Sequence, residues 1–186
     1  MVMDSTTDSS HFWPSWRNLC TTVREDWNNN SRNPKIQFSL ALFRFCQVLM
    51  GDREKRRLVA LPFVAIYRFV TEIVIGFELR PKTIVGPGIS IHHAFGLVVN
   101  DGAIIGRNVQ LRNGVTIGHK RTGTRPPRIG DGVEIGANAV IIGDIHIGSG
   151  SKVGAGAVVV KSCEANSVLV GNPASNVAGP QAGPTE

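Results

Sequence analysis

The feature that most constrains the fold of this chain is a six-residue repeat in its second half. Aliphatic residues recur at this interval, and glycine often follows them directly. A period of six fits neither an α-helix, with about 3.6 residues per turn, nor a simple alternating strand. Nine positions share the phase: Ile105, Leu111, Ile117, Ile129, Ile135, Ile141, Ile147, Val153 and Val159.

This repeat predicts one short strand and one tight corner per hexapeptide, with three hexapeptides closing a triangular coil. The aliphatic residue points inward, glycine allows the corner, and stacked coils satisfy each other's backbone polar groups. The predicted fold class is therefore all-β, a parallel β-helix. Hexapeptide repeats of this type form left-handed coils, which breaks the usual right-handed crossover rule and is not visible in the periodicity itself.

Two interruptions of the repeat carry information. Residues 119–128 (HKRTGTRPPR) keep the phase but are basic, polar and proline-bearing, so we expect them to leave the coil as a protruding loop. Val85 and Ile105 are 20 residues apart, two more than three hexapeptides, so the coil is irregular around His92 and His93. An irregular coil beside two histidines indicates a functional site.

The charge of the chain is concentrated in that loop. The formal net charge is +6, and residues 86–186 carry 8 Lys and Arg against 6 Asp and Glu. Four of those basic residues lie in 119–128, which contains no acid. A nucleic-acid partner would need a broad basic face, so none is predicted. The loop is typical of a local anion site, and the alternative is a solvated surface loop.

The cysteines and the first residues of the chain bear on the cellular compartment in which the protein is found. Cys20, Cys46 and Cys163 are odd in number and far apart, which predicts neither a disulfide framework nor a metal site. The start, MVMDSTTDSSHF, lacks a basic region followed by an apolar stretch, so no signal peptide is expected. We therefore expect a reducing, cytoplasmic location.

The chain divides near residue 80. Residues 1–79 are predicted to be a helical region that caps the β-helix, and residues 80–175 to be the β-helix itself with its loop at 119–128. Residues 176–186 are expected to form a flexible tail.

Three helices are predicted in the first region. Residues 15–30 form a weak one, and Pro34 opens a strong one that runs to Met50 with Gly51 as its C-cap. A third, from about 52 to 77, is interrupted or kinked by Pro62.

The third predicted helix is unusually apolar between residues 58 and 77. Arg68 and Glu72 lie in its middle at i,i+4 spacing and are expected to pair, which argues against a membrane-spanning helix. Burial against other subunits is the leading interpretation. The alternative is peripheral attachment to the inner face of a membrane, assisted by the basic residues of 53–57 (REKRR).

The residues best suited to chemistry are His93 and Glu78. Counting from Val85 places Ile91 inward and His93 outward. Glu78 precedes His93 by 15 residues, close to one coil, so the carboxylate is expected near the imidazole on the neighbouring layer. Such a carboxylate fixes the tautomer of a general base. A pair of surface histidines is the alternative.

The motifs resemble those of the serine acetyltransferase superfamily of hexapeptide-repeat acyltransferases. The likeness covers about residues 56–175 and rests on IHHAFG, VTIG, the basic loop, IGDGVEIGANAVIIGDIHIGSGSKVGAGAVVV and GNPA. The apolar IYRFVTE segment, GFE, IHH and LRNGVTIG are similar to the colanic-acid-type exopolysaccharide acetyltransferases.

The resemblance implies a homotrimer that transfers an acetyl group from acetyl-CoA to an alcohol without a metal. It implies that His93 is the general base with Glu78 as its acidic partner, and that His92, Arg112 and Arg125 contact the acceptor. The implied cofactor-binding residues are Gly118, His119, Lys120, Gly136, Ala137, Lys152, Gly154 and Ala155. Arg121 and Arg125 are also implied to contact the phosphates of the nucleotide end, together with Lys120 and Lys152.

Two departures from serine acetyltransferases bear on the acceptor. His92 replaces an Asp that helps to hold the amino group of serine, and Arg125-Pro126-Pro127 replaces an Arg-His-Pro whose histidine helps to bind the carboxylate. The expected acceptor is therefore a sugar hydroxyl of an exopolysaccharide, free or lipid-linked. Serine O-acetylation in cysteine biosynthesis is the alternative activity, and a non-catalytic β-helix scaffold is the alternative class.

Overall fold

The computed structural model describes residues 15–51, 54–121 and 123–178. Three helices lead the described chain: α1 (Leu19–Asn29), α2 (Pro34–Met50) and α3 (Glu54–Arg68). A π-helical segment, Phe69–Ile75, continues α3. Pro34 opens α2 and Gly51 ends it, with φ of +41°, as the sequence predicts.

Fifteen short strands follow in the described residues, and the parallel pairing of the first fourteen builds the left-handed β-helix that the repeat predicts. The chain passes from sheet A to sheet B to sheet C in each coil. Sheet A contains β1 (Glu78–Leu79), β4 (Val98–Val99), β7 (Thr116–Gly118), β10 (Val140–Ile142) and β13 (Val158–Val159). Sheet B contains β2 (Ile84–Val85), β5 (Ile104–Ile105), β8 (Arg128–Ile129) and β11 (His146–Ile147). Sheet C contains β3 (Ser90–His92), β6 (Gln110–Arg112), β9 (Glu134–Ile135), β12 (Lys152–Val153), β14 (Val168–Gly171) and the antiparallel β15 (Ala174–Asn176).

The core of the β-helix is the aliphatic column that the hexapeptide period predicts. All nine in-phase residues are buried, and none is more than 3% exposed. Apolar burial of this kind contributes roughly 25 cal/mol per Å² to stability. The inward direction of the repeat is therefore confirmed at every position.

The structure contains both predicted interruptions, but the loop ends one residue earlier than predicted, because Arg128 belongs to β8. β7 ends at Gly118 and β8 begins at Arg128, so the basic segment connects two coils as a loop. Val85 pairs in register with Ile105, so the first full coil contains 20 residues. The two extra residues lie in the coil that carries His92 and His93.

The helices cap the open end of the β-helix by bonding its first coil. The Asn30 side chain donates to Ile89 O at 2.9 Å and accepts from Ile91 N at 2.9 Å. The Gln47 amide donates to Thr83 O at 2.9 Å. At this end of the β-helix no neighbouring coil of the described chain bonds to these backbone groups. The side chains of the helices bond to them instead, so the backbone polar groups are satisfied.

The sequence predicts that the third helix is interrupted or kinked at Pro62, whereas the structure places the change in helical geometry further along the chain. α3 continues through Pro62, and the departure from α-helical geometry starts at Phe69. The predicted pair between Arg68 and Glu72 is present at 2.8 Å.

Parts of the predictions lie outside the described residues. Residues 1–14 of the predicted helical region and residues 179–186 of the expected tail are not described. In the basic run 53–57, Arg53 and the side chains of residues 54–57 are not described either.

Candidate active site

His93 occupies a corner of the β-helix, between sheet C and sheet A. It follows β3 directly, and its side chain is exposed, which confirms its predicted outward direction. Its backbone is left-handed, with φ of +53°. The other described non-glycine residues with positive φ are all asparagines, which tolerate this conformation: Asn108, Asn138 and Asn166. A strained backbone that presents an exposed imidazole is typical of a functional site.

The corner that carries His93, here called the histidine corner, continues through the later coils. It comprises residues 93–97, 113–115, 136–139 and 154–157. Backbone hydrogen bonds of 2.8 to 3.0 Å join its successive layers: Gly114 to Phe95, Asn138 to Asn113 and Gly156 to Ala137.

Small side chains keep the histidine corner narrow. A Cβ atom at Gly136 would lie 2.5 Å from the backbone nitrogen of Ala155, so a larger residue would force the coils apart. An extended ligand can therefore approach the backbone closely along this edge. Four of the eight residues that the resemblance assigns to acetyl-CoA lie here: Gly136, Ala137, Gly154 and Ala155.

A second group of the implied residues lies at the other end of the strands of sheet A. This loop corner comprises residues 100–103, 119–127 and 143–145. The imidazole Nδ1 of His119 lies 3.0 Å from the amide Nδ2 of Asn100, which ties the start of the basic loop to the coil above. Two implied cofactor residues, His119 and Lys120, and one implied acceptor residue, Arg125, belong here, and the implied cofactor residue Gly118 ends β7 directly before them.

Sheet A therefore separates the two halves of the implied site within one protomer. Its strands begin at the histidine corner and end at the loop corner. His93 and the small residues lie along one edge, whereas the exposed cations Lys120, Arg121 and Arg125 lie along the other.

Glu78 begins β1 at the end of sheet A that adjoins the histidine corner, where its backbone nitrogen donates to the carbonyl of Leu97 at 2.8 Å. It pairs in register with Val98, and its nearest cation is Arg80, at 3.9 Å. In the described part of the chain, no hydrogen bond joins its carboxylate to His93. Glu78 shares a groove of about 250 Å³ with Asn100 and His119. Its role as acidic partner of His93 stays a prediction.

His92 and Arg112 are neighbours on sheet C, where β3 and β6 place them in register. The imidazole Nε2 of His92 lies 3.1 Å from the hydroxyl of Ser90. Partial burial lowers the pKa of His92, and the neighbouring Arg112 and His93 lower it further. His92 therefore binds a proton more weakly than a free imidazole, which suits a hydrogen bond to an uncharged group.

Lys152 is held by an acidic neighbour. Its Nζ lies 3.4 Å from Glu134 Oε1 on the adjacent strand of sheet C. This pairing reduces the charge that Lys152 offers to a phosphate. Among the described residues, no group of three or more His, Cys, Asp or Glu is arranged to hold a metal ion.

Sequence reasoning missed two features of the candidate site, Phe95 at the histidine corner and Asn100 at the loop corner. Phe95 is 77% exposed, and its ring packs against the backbone of Gly76. Asn100 forms the contact to His119 described above. A signal for Phe95 exists in the repeat, because it is a large apolar residue at a position outside the inward phase.

A left-handed β-helix with a histidine at one corner and a basic loop at another defines the class of hexapeptide-repeat transferases. The family model described as bacterial transferase hexapeptide (six repeats) matches residues 126–161. WcaB of Escherichia coli (strain K12), a protein assigned to colanic acid biosynthesis as an acetyltransferase, is 38% identical over 89 residues, which cover 47% of this chain and 55% of WcaB.

Solved structures extend the likeness to most of the chain. The apoenzyme of soybean serine acetyltransferase superposes with a TM-score of 0.74 at 35% identity, covering 87% of this chain and 69% of the soybean chain. A serine acetyltransferase in complex with CoA superposes with a TM-score of 0.72 at 26% identity, covering 87% of this chain and 71% of that one.

This chain belongs to the serine acetyltransferase superfamily of hexapeptide-repeat acyltransferases. It spans about half the length of WcaB.

Proposed function

We propose that the protein transfers an acetyl group from acetyl-CoA to a sugar hydroxyl in exopolysaccharide biosynthesis, with His93 as general base. The observation that carries this proposal is the position of His93 at the head of a column of small corner residues. An extended thioester can lie along that column and end beside the imidazole. Hydroxyl and thioester held side by side react as if at high effective concentration.

The proton transfers follow from the exposed imidazole. His93 accepts the proton of the acceptor hydroxyl while the oxygen attacks the thioester carbonyl carbon. The carbon–sulfur bond then breaks, and the imidazolium returns the proton to the thiolate of CoA. General-base catalysis of this kind contributes about 10²–10⁴-fold. The developing oxyanion needs N–H donors, and we assign this role to the backbone near Gly118 and His119 of the adjacent protomer, because these residues lie away from His93 within one protomer.

The same geometry supports a homotrimer. One protomer places His93 and the basic loop at opposite ends of the sheet A strands. If the histidine corner of one protomer faces the loop corner of the next, Lys120, Arg121 and Arg125 reach the phosphates of a ligand that lies along the small residues. A cyclic arrangement of three protomers repeats this contact and closes.

The weak proton affinity of His92 supports an uncharged acceptor. Its lowered pKa and the guanidinium of Arg112 beside it make this position a poor ligand for an ammonium group. Each charged contact that is lost weakens binding by about 1.5–3 kcal/mol. A saccharide hydroxyl needs no such contact.

Serine O-acetylation is the second candidate activity. The likeness that favours it is to the soybean serine acetyltransferase, which covers more of this chain than the likeness to WcaB does. The two activities differ in their acceptors, and both use His93 and acetyl-CoA.

An acceptor comparison separates the two activities. The purified protein is incubated with acetyl-CoA and either L-serine or a panel of p-nitrophenyl hexosides, and release of the CoA thiol is followed by absorbance. We expect release with at least one hexoside and none with serine. Serine-dependent release would establish the second candidate.

A cytoplasmic location is part of the proposal. In the described part of the chain all three cysteines are free, and Cys46 is buried, which raises the pKa of its thiol to about 11. A thiol of this kind is unreactive at neutral pH.

A further inference from the structure

An unusual apolar surface covers the outer side of α3 and the π-helical segment. Residues Leu58–Ile75 have a mean hydropathy of 2.0, and only 17% of them are buried. By length and composition alone this helix could cross a membrane. Large exposed apolar patches mark interaction sites. The surface, here called the apolar helix face, consists of Leu58, Val59, Leu61, Ile66, Phe69, Ile73 and Val74, all at least 57% exposed.

The opposite side of the same helix is fixed to the protein. Tyr67 is 1% exposed, and its hydroxyl donates to the carbonyl of Leu79 at 2.6 Å. Thr71 is also buried, and its carbonyl accepts from the backbone of Gly76 at 2.8 Å. A helix held along one side and apolar on the other suits a position in the plane of a membrane surface better than one across the bilayer.

The apolar helix face continues to the residue that performs the proposed chemistry. The carbonyl of Gly76, directly after the π-helical segment, accepts a hydrogen bond from Gly96 at 2.7 Å. The ring of Phe95 packs on Gly76 and is 77% exposed. Phe95 lies two residues after His93, so the apolar surface ends at the histidine corner.

The charges around this surface fit an anionic bilayer. The sequence places Arg53, Lys55, Arg56 and Arg57 directly before Leu58, with one acid among them. Basic residues next to an apolar helix are drawn to anionic headgroups. Arg68 and Glu72, which lie within the helix, pair with each other at 2.8 Å, so they add no net charge to it.

We propose that the apolar helix face and Phe95 dock the protein peripherally on an anionic membrane, and that the acceptor saccharide reaches His93 from a lipid carrier in that membrane. The identity of the acceptor rests on the proposed function, whereas the docking does not. A trimer whose axis runs along the β-helix places three copies of the face at the same end, which multiplies the binding.

Vesicle sedimentation tests the proposal. The full chain is mixed with vesicles of phosphatidylcholine that contain phosphatidylglycerol, at low and high salt. We expect binding that weakens as salt is raised, because screening reduces the attraction of the basic residues. The double variant Phe69→Ser and Ile73→Ser is expected to bind about tenfold more weakly at both salt concentrations.

The matched control removes an exposed apolar side chain elsewhere. Val177→Ser changes a side chain that is 56% exposed at the far end of the β-helix, and this variant is expected to bind vesicles normally. Both variants should retain CoA binding, which separates a failure of docking from a failure of the proposed function. No sedimentation of the wild-type protein at any salt would overturn the proposal. A smaller oligomer for the Phe69 and Ile73 variant in light scattering would also overturn it, by assigning the face to a second copy of the chain.

Discussion

The guanidinium of Arg44 and the carboxylate of Asp26 form an ion pair, 2.8 Å apart, that is almost completely removed from solvent. Arg44 also donates to the carbonyls of Val85 and Gly86, at 2.7 Å each, and Asp26 accepts from the backbone nitrogen of Gly88 at 2.8 Å. Burial raises the pKa of Asp26, although Arg44 and the backbone donors act in the opposite direction. The pair joins α1, α2 and the coil that leads to His93.

Arg44→Met is expected to destabilise the protein strongly, because it leaves Asp26 buried without its cation. Removing one partner of a buried pair costs about 3–5 kcal/mol. The measurement is urea denaturation followed by circular dichroism at a fixed protein concentration. Arg68→Met is the matched control, since it breaks an exposed i,i+4 pair expected to contribute about 0.3–0.5 kcal/mol. Equal effects of the two changes would contradict the role of the buried pair.

The basic loop gives a prediction about acetyl-CoA. Neutralising Lys120, Arg121 and Arg125 together should raise the KM for acetyl-CoA and flatten its dependence on salt, with little change in Tm. Exposed cations attract a polyphosphate through screened Coulomb forces but contribute little to fold stability.

The control for the loop variant neutralises three exposed arginines on the helical cap, Arg17, Arg24 and Arg32. It should leave the KM unchanged. If the loop variant kept its affinity for acetyl-CoA and lost affinity for the acceptor, the loop would belong to the acceptor site.

His92 provides a prediction about protonation. Its pKa lies below the ordinary 6.5, so the folded state binds this proton more weakly than the unfolded state. The contribution to stability is fully present above pH 6.5 and is lost as the pH falls through the lower folded value. Arg112→Gln should raise the pKa of His92, since it removes a neighbouring positive charge. An NMR titration of the histidine ring protons measures it, and an unchanged or lower pKa would contradict the assignment.

Much of the fold could be predicted because the hexapeptide period fixes each inward residue. Ile117 and Ile129 keep their phase across the basic loop, so the loop was visible as polar residues between two buried ones. The pair of Asp26 and Arg44 could not be predicted. Asp26 lies in a polar stretch typical of an exposed helix, and its burial depends on the packing of three elements that no repeat relates.

The roles of the candidate site residues stay predictions, and the division of these residues between two corners could not be read from the sequence. Spacing along the chain indicated that Glu78 and His93 lie one layer apart. The register of Glu78 with Val98 places it one layer from the coil that carries His93, and its role as acidic partner stays a prediction. Which corner carries His93 and which carries Lys120 depends on the order of the three sheets, and that order became visible only in the folded coil.

The rate of acetyl transfer by His93→Asn tests the central claim most directly. Asparagine tolerates the left-handed backbone of this corner, as Asn138 does in a later coil, so the fold should be retained while the base is removed. We expect transfer to fall by about 10²–10⁴-fold with an unchanged Kd for CoA. His146→Asn, which changes an exposed histidine on sheet B, should leave the rate unaffected. Near-normal turnover in His93→Asn would contradict the account.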